Sequence, residues 1–299
     1  MKYIFIFNPA AGGGTNSDKI KKEIEDCSVK IDYEIYKTKG HRDATRFVKE
    51  WCDTHSVDEE VCFVACGGDG SVNEVVNGVA NYKNASFSVY ACGSGNDFVK
   101  YFGDKNRFLS IEKLVKGQKK SIDLIKVNDY FCINVCHFGL DSFVAKTANE
   151  VKEKGGKNPY GVGVRKAILK GRKNKHQVYV DNEKITKDRM LLCSLANGGY
   201  VGGKYHCAPK AIVDDGYLEV CLVHPCSIIK LISLIGKYKN GEHLDNKKFK
   251  KLVVYRRAKH VEIIDEKEFD VSIDGEMISS SKFVVDLIPK GISMIIPEE

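Results

Sequence analysis

The segment Gly67-Gly68-Asp69-Gly70-Ser71 constrains this chain more than any other. It joins an apolar run at residues 61–65, which reads as a buried strand, to a helical pattern beginning at Val72. Val72, Val75, Val76 and Val79 fall at i, i+3, i+4 and i+7, on one helix face. Ser71 and Glu74 have the spacing of a capping box, which predicts the helix start there. A strand that enters a glycine turn and leaves as a helix suits a polyphosphate. Glycine lets the backbone come close and take positive φ. The helix N-terminus offers N–H groups and the positive end of its dipole to anionic oxygens. A carboxylate at the tip of the turn, Asp69, makes sense beside Mg²⁺, which takes oxygen ligands. Taken alone, the same pattern also suits a plain strand-to-helix connection.

The first part of the chain repeats this alternation. Strands are predicted at residues 3–7, 33–36, 61–65 and 86–91. Between them, Ile20, Ile24 and Cys27 mark one helix face, and Ala44, Phe47, Val48 and Trp51 mark another. A further helix near residues 111–115 is stopped by Gly117. This βαβα order predicts a parallel sheet covered by helices, with ligands beyond the carboxyl ends of its strands. From about Ser121 the rhythm changes to short alternating segments separated by turns such as Asn128-Asp129 and Asp181-Asn182. That half reads as a β-sandwich interrupted by one helix near residues 228–238. Residues 152–175, basic and with glycines at 155, 156, 161 and 163, read as a solvated loop or a membrane-facing lid.

Composition narrows the class without choosing a function. The 299 residues are 43% hydrophobic and 29% charged, with a net charge of +7. This fits a lysine-rich globular protein, a nucleic-acid binder or a visitor to an anionic membrane. No basic–aromatic motif of a nucleic-acid module is present, so no nucleic-acid partner is expected. The opening apolar run, residues 3–7, is too short for a signal core or a membrane span, which predicts a cytoplasmic protein. The 11 cysteines include no C-x-x-C pair, several sit in strand-like runs, and reduced thiols are expected.

Three glycine-bearing loops follow predicted strands of the first sheet. They are residues 8–14, residues 67–71 and Gly93-Ser94-Gly95-Asn96-Asp97-Phe98. None is a Walker A loop, since no Gly-Lys-Ser/Thr follows the glycines, and none fits the dinucleotide fingerprint. The trio resembles the catalytic domain of diacylglycerol kinases, shared with sphingosine, ceramide and bacterial soluble lipid kinases, and more distantly NAD kinases. Further matches to that family are Lys37-Thr38 with Asp43-Ala44, Gly117 with Asp123-Leu124, and Asn134 through Phe138-Gly139. Ala196-Asn197-Gly198, Gly202-Gly203, Ala208-Pro209, Asp215-Gly216 and Asp274-Gly275-Glu276 complete the series. The sequence departs from the family pattern at Gly13 and Gly14, where many members carry a basic residue, and at Ser71, Ser94, Ala91 and Lys100. None of these changes removes a carboxylate.

The resemblance implies an α/β nucleotide-binding domain at residues 1–122 and a β-rich, lipid-binding sandwich at residues 123–281, with residues 282–299 returning to the first domain. It implies ATP held in a cleft between the two. Asn8, Thr38, Gly67, Gly68, Gly70, Ser71, Ser94 and Asn96 are implied to surround the nucleotide, with Asp69 central. Asp97, Asp123 and Glu276 are implied to form a water–Mg²⁺ network with Asp69. Asp274 or Asp69 is implied as general base, and the choice stays open. Asp215 with the carbonyls of Ile212 and Tyr217 resembles a second, structural Mg²⁺ site. From the residues alone, Asp274-Gly275 and Asp215-Gly216 equally read as turns.

The expected function is ATP- and Mg²⁺-dependent phosphorylation of a lipid hydroxyl. Diacylglycerol is the first candidate acceptor, then a sphingoid base or other lipid alcohol. The lipid would be met at a membrane surface, on its inner face. A NAD kinase-like enzyme and a non-catalytic nucleotide- or lipid-binding regulator are the alternatives. No obligate protein partner is expected, and oligomeric state stays open, a homodimer included.

Overall fold

A strand covered on both faces can hold few unpaired polar groups, and Val61–Cys66 and Ala85–Tyr90 are buried at every position. The two serines of the second, Ser86 and Ser88, give their hydroxyls to the carbonyls of Val61 and Ile295. These strands belong to the first of two units in the computed structural model, which describes residues 1–9, 16–170, 174–187 and 189–299. The first unit comprises Met1–Leu124 and Pro289–Glu299, the second Ile125–Ile288.

In chain order the first unit runs β1 (Lys2–Phe7), α1 (Asn16–Glu25), β2 (Asp32–Lys37), α2 (Asp43–Thr54), β3 (Val61–Cys66), α3 (Asp69–Val79), β4 (Ala85–Tyr90), α4 (Ile111–Val115) and most of β5 (Gln118–Val127). The sheet order is β2-β1-β3-β4, parallel throughout, and Met294 in the returning segment pairs in parallel with Phe87 of β4. Ile20 and Ile24 of α1 and Ile111 and Leu114 of α4 pack on Tyr3, Phe5, Phe7 and Val64. Trp51 of α2 meets Phe63 edge to face at 5.6 Å. Gly78 lets α3 lie against α2, because a Cβ there would sit 2.6 Å from Val48 Cβ.

The second unit continues with β6 (Tyr130–Cys132), β7 (Val135–Gly139), α5 (Leu140–Glu153), α6 (Pro159–Lys170), β8 (Gln177–Val180), β9 (Glu183–Lys184), β10 (Leu192–Ala196), β11 (Tyr200–Val201), β12 (Tyr205–His206), β13 (Leu218–Val223), α7 (Ile228–Lys239), β14 (Val253–Ala258), β15 (His260–Ile273) and β16 (Glu276–Ile296). Its strands pair antiparallel in the order β14-β13-β10-β7-β15-β16. Phe138, Cys193, Leu195, Val220, Val261 and Phe283 are among the residues of its core. Together these units give a two-domain protein, with an N-terminal α/β domain of parallel strands and a C-terminal β-sandwich-like domain.

Three local expectations are corrected. Helix α3 starts at Asp69, not Ser71, and Gly68 is its N-cap with no side-chain cap bond. Glu74 caps a different helix, accepting the N–H groups of Arg42 and Ala44 at the start of α2, at 2.9 and 3.0 Å. Most of residues 152–175 is not a loop but the end of α5 and all of α6. The glycines misled the reading. A Cβ on Gly163 would come within 2.7 Å of the Val144 carbonyl, so this glycine serves close helix packing. The Asn158-Pro159 pair marks the start of α6, where the Asn158 side chain accepts the Gly161 N–H and proline takes the first helical position.

Gly78→Ala tests the α2–α3 contact. Helix propensity alone would favour alanine by about 1 kcal/mol, but the methyl meets Val48. The expected net loss in urea unfolding is about 1–3 kcal/mol. The same substitution in a Val48→Ala background is expected to be neutral or stabilising.

Candidate active site

The C-terminal edge of the parallel sheet gathers the loops that the sequence singled out. Asn8 follows β1 and is exposed, and the remainder of that loop, residues 10–14, lies outside the described residues. The Thr38 N–H donates to the Phe7 carbonyl at 2.8 Å, which fixes the end of β2 beside β1. Gly67 and Gly68 follow β3, and the segment from Ala91 to Asp97 follows β4. The last two loops touch backbone to backbone. The Gly67 carbonyl accepts from the Gly93 N–H at 3.0 Å and from Asn96 Nδ2 at 2.9 Å. A Cβ on Gly93 would lie 2.2 Å from Gly68 Cα, so only glycine fits. Asn96 is buried and takes a φ of 50°, a conformation asparagine tolerates better than most residues.

That contact brings two carboxylates together. Asp69, the first residue of α3, accepts the Asp97 N–H on Oδ1 at 2.6 Å. Asp97 Oδ1 in turn accepts from Lys100 Nζ. A Cβ on Gly95 would fall 2.4 Å from Asp69 Oδ2 and 4.0 Å from Asp97 Oδ2, so the missing side chain leaves a space flanked by two carboxylate oxygens. Gly70 and Ser71 follow Asp69 in α3 and Ser94 precedes Gly95, with Gly70 and Ser94 exposed. The N-terminus of α3, whose N-cap Gly68 has no side chain to cap it, presents its positive dipole end at this edge. This donor set fits Mg²⁺. The ion prefers one or two carboxylates completed by phosphate oxygens and water. Asp123 is fully buried and accepts the Lys290 N–H at 2.7 Å, so it ties the returning segment into the first unit.

In the second unit Asp274 and Gly275 are the two central residues of the β15–β16 hairpin, with φ of 50° and 97°. Both being positive, they match a type I′ turn. The turn reading is therefore correct, but it is not the whole of Asp274. Its carboxylate reaches back to the break between β6 and β7. It accepts N–H groups from Ile133 at 2.8 Å, Asn134 at 3.1 Å and Val135 at 2.9 Å, and the Cys132 thiol at 3.2 Å. Such a ring of donors fixes the carboxylate in place. Two asparagines brace that break. Asn197 Nδ2 donates to the Ile133 carbonyl at 3.0 Å, and Asn134 Nδ2 to the Tyr200 carbonyl at 2.9 Å. Asn134 and Asn197 thus act as positioning residues for Asp274, a role that sequence spacing alone did not give. Glu276 pairs with Ile273 at the base of the hairpin and is half-buried.

The second unit also holds a small, partly open apolar pocket. Leu140, Val144, Leu192, Leu231, Leu234 and Ile235 give it apolar walls, and His137, Asp141, Tyr205 and Tyr238 supply its few polar groups. Ser194 and Tyr238 hydroxyls approach Asp141 Oδ2 at 3.5 and 3.3 Å. Burial pushes the Asp141 carboxyl up to about 6, against the smaller pull of these two hydrogen bonds. Asp141 and the cavity were missed because α5 and α6, which supply part of the wall, carried no recognised helix signal in the sequence.

Asp215, the carboxylate of the expected second Mg²⁺ site, makes two contacts within the protein. The carboxylate accepts the Tyr217 N–H at 3.1 Å and pairs with Arg257, which also stacks over the Tyr217 ring at 4.4 Å. Ile212 and Tyr217 are both exposed.

The fold and these sites agree with known proteins. The diacylglycerol kinase catalytic domain matches residues 2–127, and the YegS C-terminal NAD kinase beta sandwich-like domain matches residues 134–296. The chain is 25% identical over 281 residues to the diacylglycerol kinase of Bacillus subtilis (strain 168), covering 91% of this chain and 88% of that one. It is 25% identical over 283 residues to the diacylglycerol kinase of Staphylococcus aureus (strain bovine RF122 / ET3-1), with coverages of 91% and 84%. The crystal structure of a diacylglycerol kinase from Bacillus anthracis str. Sterne superposes with a TM-score of 0.71 at 22% identity, covering 98% of this chain and 96% of that one. With both halves of the chain matched in order, it belongs to the diacylglycerol kinase catalytic-domain family and is a phosphotransferase of the lipid kinase class.

Proposed function

We propose that the protein transfers the γ-phosphoryl group of ATP to the hydroxyl of a membrane lipid, with diacylglycerol as the first candidate acceptor. The observation that carries this reading is the apolar cavity of the second unit, with polar groups only at Asp141, His137 and two tyrosines. Its lining suits acyl chains, as small-ligand sites are concave and mostly apolar with a few polar groups. A soluble, highly charged acceptor would find no counterpart there.

The nucleotide belongs to the loops of the first unit. Gly67, Gly68 and Gly70 allow the phosphates close to the backbone, and the α3 N-terminus attracts them. Asp69 and Asp97 would hold Mg²⁺, which when bound offsets the charge on the phosphoryl oxygens. Asn96 and Lys100 keep the two carboxylates in register through their bonds to Gly67 and Asp97. Asp274, positioned by backbone N–H groups, is the candidate to accept the lipid hydroxyl proton as attack proceeds. Asp69 is the other candidate for that step.

Purified protein with labelled ATP, Mg²⁺ and mixed vesicles containing dioleoylglycerol or sphingosine is expected to give a labelled lipid. Asp69→Asn and Asp274→Asn are each expected to lower the rate by about 10²–10⁴. Full activity in both variants, or no lipid product from the wild type, would sink the reading.

Asp141 makes a separate, thermodynamic prediction. Its carboxyl is raised in the fold, from 3.8 to about 6. A raised acid stabilises the fold fully below the unfolded value, and that contribution is lost as pH rises through the folded one. At neutral pH ionised Asp141 therefore costs stability on the order of 3 kcal/mol. Urea unfolding at a series of pH values should show Asp141→Asn flattening the decline between about pH 4 and pH 7. Equal slopes in variant and wild type would show that Asp141 is not desolvated.

A further inference from the structure

Helix α7 has two apolar faces, and only one is used within the protein. Leu231, Leu234, Ile235 and Tyr238 line the cavity. Ile228, Ile229 and Ile232 face outward, with 40%, 83% and 59% of their surface exposed. At 100° per residue these three fall within one sector of the helix, displaced from the cavity side. Three large aliphatic side chains in little more than one turn form a patch, unlike the singly scattered apolar residues of ordinary surfaces. Gly236, one turn on from Ile232, adds no bulk and has open space around it. Leu169 of α6 is also 71% exposed, and its neighbours Ala167 and Ile168 pack in the same apolar cluster as Leu231 and Leu234.

The charges on helix α7 are of one sign. Helix α7 contains no aspartate or glutamate, but it carries Lys230, Lys237 and Lys239. Lys237 pairs with Glu242. Among the described residues Lys230 and Lys239 have no ion-pair partner, and both are exposed. An apolar strip with unpaired lysines is complementary to the acyl boundary and headgroups of an anionic bilayer.

We propose that the Ile228–Ile229–Ile232 face of α7 docks this protein on an anionic lipid surface. The consequence for function rests on reading the cavity as the acceptor's acyl site: the helix that inserts into the bilayer would be the one whose other face lines that cavity. A lipid would then pass from bilayer to cavity along one helix, without full exposure to water.

Vesicle flotation tests this without ATP or acceptor, so its outcome is independent of phosphoryl transfer. The wild type is expected to float with phosphatidylcholine/phosphatidylglycerol vesicles and much less with phosphatidylcholine alone. Ile229→Asp combined with Ile232→Asp should weaken binding at least about tenfold. Lys230→Ala and Lys239→Ala should each weaken it about fivefold at low salt. Ile229→Trp supplies a direct probe, since the single native tryptophan, Trp51, is buried. Its emission should shift to the blue on adding anionic vesicles. Four results would overturn docking: equal binding by the double aspartate variant, equal binding to neutral vesicles, no shift from Ile229→Trp, or a solution dimer that the aspartates dissolve. Vesicle binding that persists in a protein unable to phosphorylate lipid would instead reject the assigned activity and leave docking standing.

Discussion

The approach of Gly93 to Gly68 sets the geometry on which the proposed nucleotide site depends. With 2.2 Å between a Gly93 Cβ and Gly68 Cα, any side chain would push the two loops apart. Their closeness lets the Gly67 carbonyl take two hydrogen bonds from the second loop and lets the Asp97 N–H reach Asp69. Glycine loses more backbone entropy on folding than other residues. Here the offset is a close pair of loops with an uncapped helix N-terminus at its centre. The glycines of this site act by absence, leaving room first for backbone and then for carboxylate.

The same device recurs in both units. A carboxylate from one segment accepts backbone N–H groups from a segment distant in sequence. Asp69 holds the loop at Asp97, Asp123 holds the returning chain at Lys290, and Asp274 holds the β6–β7 break. Hydrogen bonds with one ionised partner are stronger than neutral ones. They fix loop positions that apolar packing cannot reach, since loops bury little surface. Each carboxylate is thereby positioned as well as positioning. A pre-set carboxylate needs little reorganisation during phosphoryl transfer, where catalysis is mostly placement and charge neutralisation.

Much of this was legible in the sequence because its signals were local. Strand β3 is a continuous apolar run, α3 and α2 show 3.6-residue periodicity, and the turn at Asp274-Gly275 is a dipeptide signature. What was not legible depended on contacts across the chain. Glu74 caps α2 rather than its own helix, a choice made by the packing of two helices. The glycines of α6 were read as loop because their reason, the Val144 backbone of α5, is visible only in three dimensions. The cavity at Asp141 is assembled from α5, α6, α7 and the neighbouring strands, so no single segment announces it. Asn134 and Asn197 stood in recognisable motifs, but their bond partners, carbonyls at Tyr200 and Ile133, could not be inferred from spacing.

The most direct test of the glycine-built nucleotide site is isothermal titration of ATP–Mg²⁺ into the wild type and Gly95→Ala. A methyl on Gly95 would enter the space between the Asp69 and Asp97 oxygens, 2.4 Å from the nearer one, while the rest of the fold stays as it is. The expected result is binding weakened at least about tenfold, roughly 1.4 kcal/mol, with an unchanged far-UV spectrum and little change in Tm. Undiminished ATP–Mg²⁺ binding by the folded variant would contradict the placement of the nucleotide at these loops.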